Sequence, residues 1–157
     1  DIHLEFRPNH QVLELYLNGK NINKEIRELR VSNNVSIAAK QPEIRDFLLD
    51  FQRNLAIKGG VIMDGRDIGM VILPNADFKF FVTASPVERA RRRHLQLQNA
   101  GTEVSYEEVF QNLITRDKID SERDVAPLKQ ADDAILIDNT FLNKEETIAL
   151  ILSYIEK

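Results

Sequence analysis

Beyond Gly59-Gly60 the sequence alternates between two kinds of segment, and that alternation limits its fold more than any other feature. Three short strand-like runs, VIM at 61–63, FKFFV at 78–82 and AILI at 134–137, are separated by long polar and helical stretches. Helical patterns follow the second run, over Pro86–Asn99, and the third, over Lys144–Glu156. Strands that alternate with helices are joined by crossovers, so this half predicts a parallel sheet covered by helices.

The first part reads differently. From Ile2 to Leu17 apolar and polar residues alternate on both sides of Pro8-Asn9-His10, the pattern of an antiparallel hairpin with one wet face. Asn18-Gly19-Lys20-Asn21 turns the chain. Two helical patterns occupy 23–55 and meet near Lys40-Gln41-Pro42, because proline fits the first turn of a helix and resists its interior. In the second, Ile44, Phe47, Leu48, Phe51 and Leu55 recur at helical spacing and are expected to form a buried stripe. The organisation is a small lobe beside an α/β core, with no repeat and no long linker.

At 157 residues the chain can bury a core without disulfides, and it has no cysteine, which fits a reducing compartment. A formal charge of −4 argues against a general nucleic-acid coat but allows local basic patches. No run approaches the roughly 18 apolar residues of a membrane span. A soluble cytoplasmic protein is expected, with a monomer as the default. The sequence opens at Asp1 without a methionine and runs straight into strand-like residues, as expected of a trimmed product.

Three charged clusters carry the chemistry. Asp64-Gly65-Arg66-Asp67 ends the first apolar run of the sheet half, where ligands of open parallel sheets collect. There Asp64 can hold a hydrated metal ion, and Arg66 can fork onto a phosphate. The alternative is a surface turn whose arginine and aspartate pair with each other. In VERARRRHLQLQ, Arg89, Arg92 and Arg93 share a helical face while Arg91 points elsewhere, a grouping that seeks a polyphosphate or else is neutralised by Glu88 and nearby carboxylates. His94 is expected to be a plain surface histidine. In TRDKIDSERDVAPL, Arg116, Asp120 and Arg123 fall on one side of a helical turn, two arginines for a phosphate or base edge and a carboxylate for sugar hydroxyls. Pro127 marks a helix stop nearby.

Taken in order, the stretches SNNVSIAAKQPEIRDFLLDFQR, GGVIMDGRDIGMVILPNADFKFFVTASPVERARRRHLQLQ and RDKIDSERDVAPLKQADDAILIDNT resemble the bacterial cytidylate kinases, which phosphorylate CMP and dCMP with ATP. The D-G-R-D-I-G block and R-D-x-x-D-S-x-R-x-x-x-P-L carry most of that resemblance. It implies a P-loop nucleoside monophosphate kinase fold, a parallel sheet with helices on both faces. Residues 1–58 would belong to a small inserted lobe that binds the monophosphate, and 59–157 to the α/β core with a lid around 89–125. It further implies that Ser36 and Arg45 read the cytosine, that Arg66 contacts the acceptor phosphate and Asp67 the base, and that Arg116 binds phosphate. Asp120 and Arg123 would lie around sugar and base. Arg92, with Arg89 and Arg93, would close over ATP, and Asp64 would organise Mg²⁺ through water. Arg66, Arg116 and Arg92 are then the catalytic arginines.

One expected motif is missing. G-x-x-x-x-G-K-[ST], whose backbone amides cradle the donor phosphates, does not occur in these 157 residues. Relatives carry it on an N-terminal strand and helix. The chain is therefore expected to be the C-terminal part of such a kinase, inactive by itself, with a non-catalytic CMP-binding fragment as the alternative. RNA binding through Arg89–Arg93 is a weaker reading, because the patch is short and lacks interleaved aromatics.

Overall fold

The computed structural model describes residues 2–10 and 12–156, so Asp1, Gln11 and Lys157 lie outside it. The chain forms two compact units, one up to Ala39 and one from Lys40 onward.

In the first unit β1 (Leu4–Asn9) pairs antiparallel with β2 (Val12–Leu17), and β2 with the short β3 (Lys20–Asn21). Asn18 and Gly19 form the two-residue turn between β2 and β3 with φ of 49° and 79°. Positive φ at both positions is what a type I′ turn needs, and Asn-Gly provides it cheaply. A 3₁₀ turn (Glu25–Arg27) leads into α1 (Leu29–Ala38).

The second unit opens with α2 (Pro42–Ala56), which has Pro42 in its first turn as expected. A π-helical turn, Ile68–Ile72, precedes β4 (Phe80–Thr83) and α3 (Pro86–Asn99). Then come α4 (Tyr106–Glu122), β5 (Ile135–Asp138) and α5 (Lys144–Ile155). β4 and β5 are parallel, with Phe80 opposite Ile135 and Thr83 opposite Asp138. Ile137 on β5 is 1% exposed. Ser85, Ser105 and Asn143 cap α3, α4 and α5, and the last two form full capping boxes with Glu108 and Glu146. α3 ends in a Schellman turn: Gly101, at φ 75°, donates to Gln98 and Thr102 to Leu97, each at 2.9 Å. α4 packs back against α3 around Ala90, Leu97 and Val109, all buried. No helix of the described residues is long and apolar enough to cross a membrane.

Three expectations need correction. VIM at 61–63 is not a strand, and Ile62 is fully exposed. A strand exists only through ladder bonds to a neighbour, and among the described residues nothing pairs with this segment. The apolar stripe of α2 keeps its spacing but not its burial: Ile44, Phe47 and Leu55 are 43%, 59% and 39% exposed, and within the stripe only Leu48 and Phe51 are half-buried, since spacing sets the face and burial depends on what packs on it. Third, β4 begins at Phe80 rather than Phe78, whose ring stacks on Phe80 with centroids 6.4 Å apart.

Candidate functional site

The D-G-R-D segment bends at Gly65, Arg66 and Asp67 into the π-helical turn. A Cβ on Gly65 would lie 2.9 Å from both Cγ1 and Cδ1 of Ile68, so the isoleucine folds over a position that only glycine leaves open. Asp67 then heads the π-helical turn, and its carbonyl accepts from the amides of Met70, Val71 and Ile72 at 3.3, 2.9 and 3.4 Å. Such turns are rare in proteins and concentrate at functional sites.

Arg66 and Asp67 do not pair with each other, which removes the plain surface-turn reading. Arg66 Nε donates to Asp120 Oδ2 at 3.2 Å, and Arg45 Nη2, from α2, donates to Asp67 Oδ2. Arg123 stands between the two carboxylates, with Nη2 3.9 Å from Asp67 Oδ1 and Nη1 4.0 Å from Asp120 Oδ1. Asp67, Asp120 and Arg123 are all buried. Arg116 and Asp120 lie one helical turn apart on α4, and Arg123 is the residue that ends the helix. The next turn is pinned by Arg123 Nε to the Ala126 carbonyl and by the Leu128 amide to the Asp120 carbonyl, each at 2.7 Å. Ala126 pays for it with φ of 49°, a left-handed conformation that costs an L-residue about 1–2 kcal/mol.

The cluster is under-compensated. Four guanidinium groups, those of Arg45, Arg66, Arg116 and Arg123, face the two carboxylates Asp67 and Asp120. Burial, then repulsion from Arg66, pushes the Arg116 guanidinium below the usual arginine range against the pull of Asp120. For Arg123 the causes are burial, then Arg45, against Asp67 and Asp120. Arginine stays protonated at any working pH, so both charges are held in a place where burial, and then a neighbouring guanidinium, disfavours them. Arg116 Nε and Arg123 Nη2 are buried, with no hydrogen-bond partner among the described residues. An excess of two positive charges suits a phosphate monoester, which carries close to two negative charges above about pH 6.

The α3 arginines are arranged otherwise. Arg89 is paired with Asp117 at 2.6 Å and donates to the Ala84 carbonyl at 2.9 Å. Arg93 donates to Gln96 Oε1 at 2.7 Å, and its charge is felt by Arg116. Arg92 donates to Glu88 at 2.7 Å, to the side chain and carbonyl of Asn139 at 3.0 and 2.8 Å, and to the Leu142 carbonyl at 3.1 Å. Hydrogen bonds from Arg91 and Arg92 hold the Glu88 carboxyl down at about 2. Arg89 and Arg92 are thus paired with carboxylates and Arg93 is hydrogen-bonded within the chain, which matches the alternative to a waiting polyphosphate site. His94 is half-buried rather than a plain surface histidine, with Nε2 3.0 Å from the Val104 carbonyl and its ring edge-on to Tyr106.

Asp64 is exposed, and among the described residues no group of three or more acidic or histidine side chains gathers around a metal position. A magnesium ion that arrives on nucleotide phosphates keeps several waters and needs only one or two carboxylates, so Asp64 fits that donor set. Ser36 lies on α1, in the first unit, with its side chain buried. Sequence reasoning missed Arg53. From α2 it donates through Nη2 to the Val71 carbonyl at 2.9 Å and through Nε to the Ile72 carbonyl at 3.2 Å. Nothing in its linear context marks it, beyond a basic residue near a helix C-terminus.

The cytidylate kinase family model matches residues 1–157. A cytidylate kinase of Flavobacterium johnsoniae is 48% identical over 98% of the chain, which covers 68% of that protein. One from an Exiguobacterium species is 47% identical over 98% of the chain and 69% of its own length, and one from Clostridium perfringens is 51% identical over 92% and 66%. The match includes both clustered motifs, and the chain belongs to the cytidylate kinase family.

Proposed function

We propose that the protein carrying this chain transfers the γ-phosphoryl group of ATP to CMP or dCMP, giving CDP or dCDP and ADP. The observation that supports it most is the gathering of Arg45, Arg66, Asp67, Asp120 and Arg123 into one charged cluster beside Arg116. In this reading residues 1–58 serve the monophosphate, and 59–157 form the core, with the lid in 89–125.

The reaction needs no protein base. A phosphate monoester is already a dianion near neutral pH. One of its oxygens attacks the γ-phosphorus, a P–O bond forms, the bond to the bridging β–γ oxygen breaks, and ADP leaves with that electron pair. Catalysis is then alignment plus neutralisation of charge spread over the oxygens. Arg66 and Arg116 hold the acceptor phosphate in line. Arg92, with Arg89 and Arg93, serves the donor side, and Arg92 must first exchange its bonds to Glu88, Asn139 and Leu142. Asp64 would hold a hydrated Mg²⁺ carried in on ATP, and the ion would supply partial neutralisation of the donor phosphates.

Base selection follows from donor and acceptor pattern. Cytosine offers an exocyclic amine where uracil offers an oxygen, so a carboxylate at that edge favours cytosine. Asp67 is that carboxylate, held by Arg45 before substrate arrives. Arg45 and Arg123 donate to the ring's acceptors, Asp120 accepts from the sugar, and Ser36 keeps the role at the base that the resemblance implies.

The 157 residues contain no phosphate loop of the G-x-x-x-x-G-K-[ST] type, which favours a second reading for this stretch by itself: CMP binding without turnover. A coupled assay with ATP, Mg²⁺ and CMP separates the two. The protein as encoded is expected to form CDP faster than it phosphorylates AMP, and the bare 157 residues to form none above background. Substantial CDP formation by the bare stretch contradicts its proposed inactivity, and a preference for AMP in the encoded protein contradicts the substrate.

A further inference from the structure

We infer that Arg53 is a positioning residue for the acceptor site, which sets the register between Arg45 on α2 and the Arg66–Asp67 pair. The inference rests on the CMP reading above. α2 holds the π-helical turn at two points. At the front, Arg45 grips the side chain of Asp67, the residue that heads the turn. At the back, the Arg53 fork takes the Val71 and Ile72 carbonyls, which point out of the C-terminal end of the turn.

The turn is held to α2 at both ends. The carbonyl of Asp67 is shared by three amides, two of them at 3.3 and 3.4 Å, so the head of the turn is loosely held, while the Leu73 amide closes its far end on the Ile68 carbonyl at 2.7 Å. Carbonyls at the end of any helical turn lack internal partners, and a guanidinium there also suits the dipole. Ile72 is buried in the core, so a shift of the turn would have to drag a packed side chain with it. With both contacts made, the turn can neither slide along α2 nor roll on it. Arg66 and Asp67 then face Asp120 and Arg123 in one geometry. Without Arg53 the Arg45–Asp67 contact becomes a single pivot, and the carboxylate that reads the base swings with the turn. A lysine cannot replace the fork, because one ammonium does not span two carbonyls in fixed geometry.

The test compares Arg53→Ala and Arg53→Lys with the unaltered protein as encoded, using initial rates and amide hydrogen exchange. Arg53→Ala is expected to raise KM for CMP about tenfold, the worth of a charged hydrogen bond, and to leave KM for ATP within about twofold. Amides of residues 70–73 should exchange faster, while those of β4 and β5 do not. Arg53→Lys should fall between the two and supplies the answer if the alanine variant does not fold. Equal rises in both KM values, or unchanged exchange at 70–73 in the variants, overturn the inference and leave the CMP reading standing. If the unaltered protein shows no preference for CMP, the functional reading fails and this inference fails with it; the exchange data then report only a structural tie.

Discussion

Replacing Asp120 with alanine is expected to destabilise the fold by about 3–5 kcal/mol, the usual result of stripping the counter-ion from a buried charge. Asp120 is 3% exposed, binds Arg66 at 3.2 Å and lies 4.0 Å from Arg123. Arg123 is buried too and its side chain cannot turn out to water, since its Nε is fixed on the Ala126 carbonyl. Removing the carboxylate therefore leaves a cluster already rich in positive charge with one counter-ion fewer. Urea denaturation checks this: the midpoint should fall with little change in slope, while Asp124→Ala, at the exposed neighbouring position, should stay within about 0.5 kcal/mol. A loss below about 1 kcal/mol for Asp120→Ala would mean that the charges are not coupled as the distances imply.

Arg116→Met is expected to do the reverse to stability while abolishing most of the activity. Arg116 carries a buried Nε with no hydrogen-bond partner among the described residues and is repelled by Arg66 and Arg93. A methionine of similar length removes the repulsion and the idle donor, so the free protein should be as stable as before or more so. On the proposed role of Arg116 at the acceptor phosphate, the same substitution also takes away a donor that steadies charge during transfer. By the measure of such donors elsewhere, kcat/KM for CMP should fall about 10²–10³-fold. Two results would oppose the assignment: activity within about threefold of the parent, or a loss of stability large enough to account for the lost activity. Read together, the two variants separate a group that holds the fold from one held in reserve for a ligand.

Local signals in the sequence carried furthest. Asn18-Gly19 specified its turn because only a few residues accept positive φ at low cost, and Pro42 and Pro86 marked helix starts because proline lacks the amide that a first turn leaves unused. The parallel pairing of β4 with β5 followed from the helical stretches between them. What failed depended on neighbours. VIM has the composition of a strand, but a strand is made by its partner, and α2 has an apolar stripe whose burial depends on what else is present. The site divides in the same way. Arg116, Asp120 and Arg123 were legible as a group because one helix spaces them, and their link to Arg45 and Asp67 rested on the family resemblance until the ion pairs were seen. The pairing of Arg89 with Asp117 and of Arg92 with Asn139 joins residues far apart in sequence, which helical spacing within α3 has no means to show. Arg53 was missed for a related reason: its partners are backbone carbonyls, which every residue has.

The most direct measurement is calorimetric titration of the protein as encoded with CMP, UMP and cytidine. If the clustered guanidinium groups and Asp67 form one site for a phosphate and a cytosine, CMP binds best. UMP should then be at least about tenfold weaker for want of the amine that Asp67 accepts, and cytidine about 100-fold weaker for want of the phosphate. Indistinguishable affinities for CMP and cytidine would show that the excess positive charge does not bind the acceptor phosphate, and the account would fail at its centre.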